Sequence, residues 1–127
     1  YEKKYGVLKS AVLGILEAGV DLVLNLDVQG AGTFRRAAEK DLFLGSCLVS
    51  LFLMPANVEI IRRRLDGRGT DGGEEINRRL GVAEEEMVRW QEYDYCIVSG
   101  NKDDDFARVD AIYRAERSRV ARLAEKG

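Results

Sequence analysis

Histidine is absent from this chain. That removes imidazole activation of a nucleophile and any imidazole metal site from its possible chemistry. Proline occurs once, at Pro55. The two cysteines, Cys47 and Cys96, each sit inside an apolar run, which favours buried free thiols in a reducing compartment over a disulfide. No apolar run reaches membrane-spanning length and no signal peptide is present, so the expectation is a soluble, cytoplasmic protein. Neither sign of charge predominates: 20 Lys and Arg face 22 Asp and Glu. Bulk affinity for nucleic acid is therefore not expected, and any basic function must be local. A Gly-x-x-x-x-Gly-Lys-Ser/Thr loop, the usual backbone cradle for phosphates, is also missing.

What is present is enough for one domain: 127 residues, 46% of them hydrophobic. Between Val7 and Glu17, Leu8, Ala11, Val12, Ile15 and Leu16 form a helical stripe stopped by Ala18-Gly19. Val20 to Leu26 is almost wholly apolar and reads as a strand covered on both faces. A short helix is expected over Gly30 to Lys40, with Phe34, Ala37 and Ala38 inward. A second apolar strand spans Ser46 to Met54 and ends at Pro55. Asn57 fits as the cap of a helix from Val58 to Leu65. A longer helix, Glu74 to Trp90, carries Ile76, Leu80, Ala83 and Met87 at helical spacing. Tyr93 to Val98 is a further short strand. Asp103-Asp104-Asp105 opens a last helix through Leu123, where acids oppose the positive end of the dipole. Alternating strands and helices predict an α/β fold with parallel strands, whose ligands gather beyond the strand C-terminal ends.

The most informative stretch is Arg64-Leu65-Asp66-Gly67-Arg68-Gly69-Thr70, followed by Arg78-Arg79-Leu80. Arg64, Arg68 and Arg79 surround the Gly-rich turn Asp71-Gly72-Gly73. Planar guanidinium forks suit bidentate grips on phosphate oxygens, and on a closing segment they could neutralise a phosphoryl group in transfer. The plain alternative is a solvated, salt-bridged pair of helices, because Asp66, Asp71, Glu74 and Glu75 are close in sequence. Asp27 also has two readings, a ligand contact at a strand end or a helix-capping carboxylate.

The ordered set Lys4-Tyr5-Gly6, Leu26-Asp27-Val28-Gln29-Gly30, the Arg64–Thr70 stretch and Tyr93-Asp94-Tyr95 resembles guanylate kinases. The resemblance runs along nearly the whole chain, to Ile112-Tyr113-Arg114-Ala115-Glu116-Arg117. It implies part of a P-loop nucleoside monophosphate kinase fold, a parallel sheet flanked by helices with a helical lid. Residues 1–6 would end the GMP-binding region, 7–63 form the α/β core, 64–79 the lid segment and 80–127 the continued core. The phosphate loop would lie upstream of Tyr1, so the chain is expected to be the C-terminal part of such an enzyme and inactive alone.

By the same resemblance, the reaction is phosphoryl transfer from ATP to GMP, with Mg2+ held mainly by nucleotide, water and the upstream loop. Tyr5 matches a tyrosine that hydrogen-bonds the GMP phosphate. Asp27 matches an acid near the GMP base and phosphate, with Gln29 and Gly30 shaping the turn beside it. Arg64, Arg68 and Arg79 match the lid arginines that approach the ATP phosphates and the transferring group, Arg68 lying also toward the adenine. Arg62, Arg63 and Arg78 have no such match. Three departures stand out. Val7 replaces a hydroxyl residue, Asn25 stands where an acid is common, and Ser99-Gly100-Asn101-Lys102 replaces a Val-Asn-Asp-Asp turn. Ser99 is the positional match of the asparagine on the adenine side, and Asn101 is a possible substitute. The rival class is a guanylate-kinase-like interaction module that binds protein ligands; the retained lid arginines favour the enzyme.

Overall fold

The computed structural model describes residues 2–56 and 73–126. The chain divides into two compact units, Tyr1–Val49 and Ser50–Gly127.

The first unit is helical. Helix α1 (Glu2–Glu17) starts earlier than the apolar stripe suggested and stops where expected. Gly19 takes a φ of 83°, open to a residue without Cβ, and its N–H donates to the Leu16 carbonyl at 3.0 Å. Helix α2 (Val28–Lys40) begins with Asp27 as its cap, and Asp41 both ends α2 and caps α3 (Leu42–Cys47). The Asp41 carboxylate accepts from the Leu44 amide at 3.1 Å, closing the α2–α3 turn at a single residue. Close approach makes this corner possible: a Cβ on Gly45 would lie 2.8 Å from the Ala38 carbonyl oxygen. Val12, Phe34 and Leu44 form the core, with Leu8, Leu16, Leu26 and Ala37 packed against it.

Two expectations are corrected here. Val20 to Leu26 is not a strand covered on both faces; it runs without ladder partners, and Val23 is 91% exposed. Apolar, β-branched residues supply propensity, but backbone N–H and C=O groups make a strand only when another strand accepts them. The described elements of this unit are all helices. The strand expected from Ser46 begins later, because α3 continues through Cys47.

The second unit contains the sheet. Strands β1 (Leu51–Met54) and β2 (Tyr95–Val98) pair in parallel, Leu51 opposite Tyr95 and Met54 opposite Val98. Side chains ahead of the strands pin this register. Asp94 Oδ2 accepts from the Ser50 amide at 2.9 Å and from its hydroxyl at 3.2 Å, while the Asp94 amide donates to Ser50 Oγ at 3.0 Å. Phe52 is buried edge-on against Tyr93, ring centroids 5.2 Å apart. Helix α4 (Gly73–Met87) passes into a 3-10 turn at Val88–Glu92, where one continuous helix to Trp90 was expected. The expected C-terminal helix is also divided, into α5 (Lys102–Arg117) and α6 (Val120–Lys126). Cys96 is exposed and Cys47 half-buried, both as free thiols, so the expected burial does not hold for Cys96. Among the described residues, no helix is long and apolar enough to cross a membrane.

The break between α5 and α6 brings two cations to Glu116. This carboxylate is only 7% exposed, accepts from the Tyr95 hydroxyl and from Arg122 Nη2 at 3.0 Å, and has Arg119 Nε at 3.6 Å. The Tyr95 hydrogen bond, opposed by burial and aided by Arg122 and Arg119, holds the Glu116 carboxyl below its ordinary range. The same bond pushes the Tyr95 phenol up. A depressed acid stabilises the fold above its unfolded pKa, and that stability is lost as pH falls through the folded value. A raised phenol stabilises below its ordinary pKa and is lost as pH rises past the folded one. Thermal melts should therefore show Glu116→Gln with a flatter acid limb than wild type. Glu116→Ala should lose about 1–3 kcal/mol at neutral pH, because Tyr95 and Arg122 lose their acceptor. Identical acid limbs in wild type and Glu116→Gln would contradict this role.

Candidate functional site

Parallel strands end together at Met54 and Val98, and the chain leaving β2 forms a tight turn into α5. Ser99 is buried, and its amide donates to the Met54 carbonyl at 2.7 Å, extending the ladder past the last strand residue. The Ser99 hydroxyl donates to Asp105 Oδ2 at 2.7 Å, and the Gly100 amide donates to Asp105 Oδ1 at 2.9 Å. One carboxylate thus takes both donors of the turn. Asn101 caps α5: its Oδ1 accepts from the Asp104 amide and its Nδ2 donates to Asp104 Oδ2, each at 2.8 Å. From the first turns of α5, Arg108 Nη1 donates to the Val98 carbonyl at 2.8 Å. Beside this turn a shallow, largely apolar groove is lined by Cys96, Ile97, Val98, Arg108, Ala111 and Ile112.

A second constellation lies in the first unit, at the start of α2. Asp27 has extended backbone (φ −71°, ψ 174°), and its Oδ1 accepts from the Gly30 amide at 2.7 Å. Gln29 is exposed and Gly30 buried. The Gln29 carbonyl accepts from the Thr33 hydroxyl at 3.1 Å. The capping geometry of Asp27 is therefore present, with one carboxylate oxygen committed to it. The other oxygen, Oδ2, takes no part in that capping bond.

The structure brings Ser99 and Asn101 into one turn, and Asp27, Gln29 and Gly30 into another. Arg64 and Arg68, the Asn57 cap and the helix expected over Val58 to Leu65 lie outside the described residues. So do the side chains of Tyr5 and Arg79, whose backbones belong to α1 and α4. Arg78 is exposed on α4. Among the described residues, no three His, Cys, Asp or Glu side chains converge as a metal site.

Several residues escaped the reading of the sequence. Asp105 is a helix-start acid together with Asp103 and Asp104, as the sequence indicates, and it also folds back to Ser99 and Gly100 in the turn after β2. Asp41 carried a legible signal, a short acceptor just ahead of Leu42-Phe43-Leu44. The Ser50–Asp94 pair spans 44 positions, and no local pattern announces it.

Comparison with known proteins adds a further finding. The family model described as "Guanylate kinase" matches residues 1–116. The guanylate kinase of Alkalilimnicola ehrlichii is 41% identical over 118 residues, covering 93% of this chain and 55% of that protein. That of Paramagnetospirillum magneticum is 38% identical over 117 residues, covering 92% and 52%. The enzyme of Bradyrhizobium diazoefficiens is 34% identical, covering 92% and 51%. The chain thus spans about half the length of the curated relatives it matches.

The two readings of Asp27 separate by a charge-only substitution. Asn caps a helix about as well as Asp, so Asp27→Asn should leave the melting temperature of the chain within about 1 °C while removing the negative charge. In the whole protein a ligand role predicts a raised KM for the nucleotide acceptor. Unchanged nucleotide kinetics would leave Asp27 as a cap alone.

Proposed function

Because this chain belongs to the guanylate kinase family, whose fold is that of the P-loop nucleoside monophosphate kinases, we propose that the whole protein transfers the γ-phosphoryl group of ATP to GMP. The products are ADP and GDP. The observation that carries this reading is the agreement between the family match over residues 1–116 and the three retained arginines, Arg64, Arg68 and Arg79. A protein-interaction module has no need of them.

In this reading residues 1–6 close the GMP-binding region, 7–63 and 80–127 form the α/β core, and 64–79 form the lid. Tyr5, Asp27, Gln29 and Gly30 serve GMP. Arg64 and Arg68 grip the phosphates of ATP, with Ser99 and Asn101 on the same nucleotide. Arg79 acts on the transferring group. Phosphoryl transfer passes through a loose transition state whose charge spreads over the equatorial oxygens, so positioning and cations supply most of the catalysis. That chemistry requires no histidine. Mg2+, bound to the nucleotide phosphates, supplies further charge neutralisation. A pool of small nucleotides is the setting such an enzyme needs, and we place it in the cytoplasm, without a nucleic-acid or membrane partner.

Two measurements test this. The 127-residue chain alone should release no ADP in a GMP-dependent manner, because it has no phosphate-cradling loop of the Gly-Lys-Ser/Thr type. Turnover by the isolated chain would mean that it holds a different phosphate site. In the whole protein, Arg79→Ala should lower kcat on the order of a hundredfold with little change in the KM for GMP, as expected for a group acting mainly in the transition state. Normal kcat with only a raised KM for ATP would contradict the role given to Arg79.

A further inference from the structure

We propose that α6 is a charge-operated strap, held to the sheet unit by the Glu116 carboxylate rather than by apolar packing, which detaches on its own when that carboxylate is neutralised and leaves the sheet folded. The inference concerns the second unit alone and does not depend on the kinase reading.

At seven residues, α6 is too short to hold helical form in water without a docking contact. Its apolar side chains do not supply one among the described residues: Val120 is 80% exposed, Leu123 54%, and Ala121 is exposed as well. Arg122 is the described α6 side chain drawn inward, 25% exposed, with Nη2 3.0 Å from Glu116 Oε1. Arg119, at the corner before α6, brings Nε to 3.6 Å from Glu116 Oε2. The corner itself is tight, since the Ser118 amide donates to the Ala115 carbonyl at 3.0 Å and the Arg119 amide to the Glu116 carbonyl at 3.2 Å. From β2, the Tyr95 hydroxyl donates to the same carboxylate. Glu116 therefore ties α6 to β2 through its charge. Once it is neutral, the half-buried Arg122 has lost its counter-charge, and a guanidinium in that state is better hydrated than docked. The sheet has no such dependence. Its ladder continues through the Tyr95 amide to Ser50 at 3.1 Å and the Ser99 amide to Met54 at 2.7 Å, and a neutral oxygen still accepts from the Tyr95 hydroxyl. The charged and titratable groups around Glu116 are Tyr95, Arg119 and Arg122, with Asp94 acting on Tyr95. The Tyr95 bond and the two arginines outweigh burial and keep the carboxyl below its ordinary range. The strap is thus closed at neutral pH and opens as pH falls through that lowered value.

Amide hydrogen exchange in the whole protein, resolved by residue and expressed as protection over the unstructured rate, tests this. The reporters of α6 are the Arg122 and Leu123 amides, which donate to the Arg119 carbonyl at 3.0 and 3.1 Å; the sheet references are the Tyr95 and Ser99 amides. At neutral pH, Glu116→Gln should cut protection of the α6 reporters about tenfold and leave the references within about twofold of wild type. Arg122→Met, which keeps the Tyr95–Glu116 bond, should do the same and decides the matter if Glu116→Gln fails to fold. Arg122→Lys keeps the charge and should retain most of the protection that Arg122→Met loses. In the wild type, lowering the pH should strip protection from α6 before the sheet references. The proposal is overturned by α6 reporters that are unprotected in the wild type, or as protected in the neutral variants as in the wild type. Equal loss in Arg122→Lys and Arg122→Met, or loss of α6 and sheet protection together, overturns it as well.

Discussion

Short acceptor side chains placed at the junctions between elements are the interaction on which the rest of this structure depends. Every helix start exposes amides that have no partner within the helix. Here Asp27, Asp41 and Asn101 each reach the amide three residues on. At the strand starts Asp94 does the same for Ser50, and at the end of β2 Asp105 does it for Gly100. A chain with one proline has little covalent stiffness to shape its corners. These carboxylates and one amide do so instead, each worth on the order of 1 kcal/mol and together defining where one element turns into the next.

The same economy divides the charge of the molecule into two jobs. The acids at the junctions are largely consumed by backbone amides and hydroxyls, so they shape turns. The Arg64–Arg79 stretch gathers arginines within a few residues of Asp66, Asp71, Glu74 and Glu75, and guanidinium groups are the side chains best suited to phosphate oxygens. A near-neutral total charge therefore coexists with a local concentration of arginines. Glu116 is the exception among the acids. It joins β2 to the α5–α6 corner through Tyr95, Arg119 and Arg122, and its work is structural.

The helices were the most legible elements. The stripe through Leu8, Val12 and Leu16, the Gly19 stop, Phe34 on the inner face of α2 and the acids in the first turn of α5 all follow from period and end chemistry. Strands were less legible, because a strand is defined by its neighbours. Val20 to Leu26 has every local mark of a buried strand and, among the described residues, no ladder to join. Ser46 and Cys47 look like strand residues until Asp41 is recognised as a cap that starts α3. The division of the last helix at Ser118 has no proline or glycine behind it. It becomes intelligible only once Glu116 is seen receiving Arg119 and Arg122. In the candidate site, family likeness points to Ser99, while the reach of Asp105 back to it depends on how the turn folds and has no local signal.

Phosphorus-31 NMR of the whole protein, incubated with ATP, Mg2+ and each of GMP, AMP, CMP and UMP in turn, tests the kinase reading most directly. The reading predicts GDP and ADP appearing in equal amounts with GMP, and negligible diphosphate from the other three. Absence of GDP, or faster transfer to AMP, CMP or UMP, would contradict it.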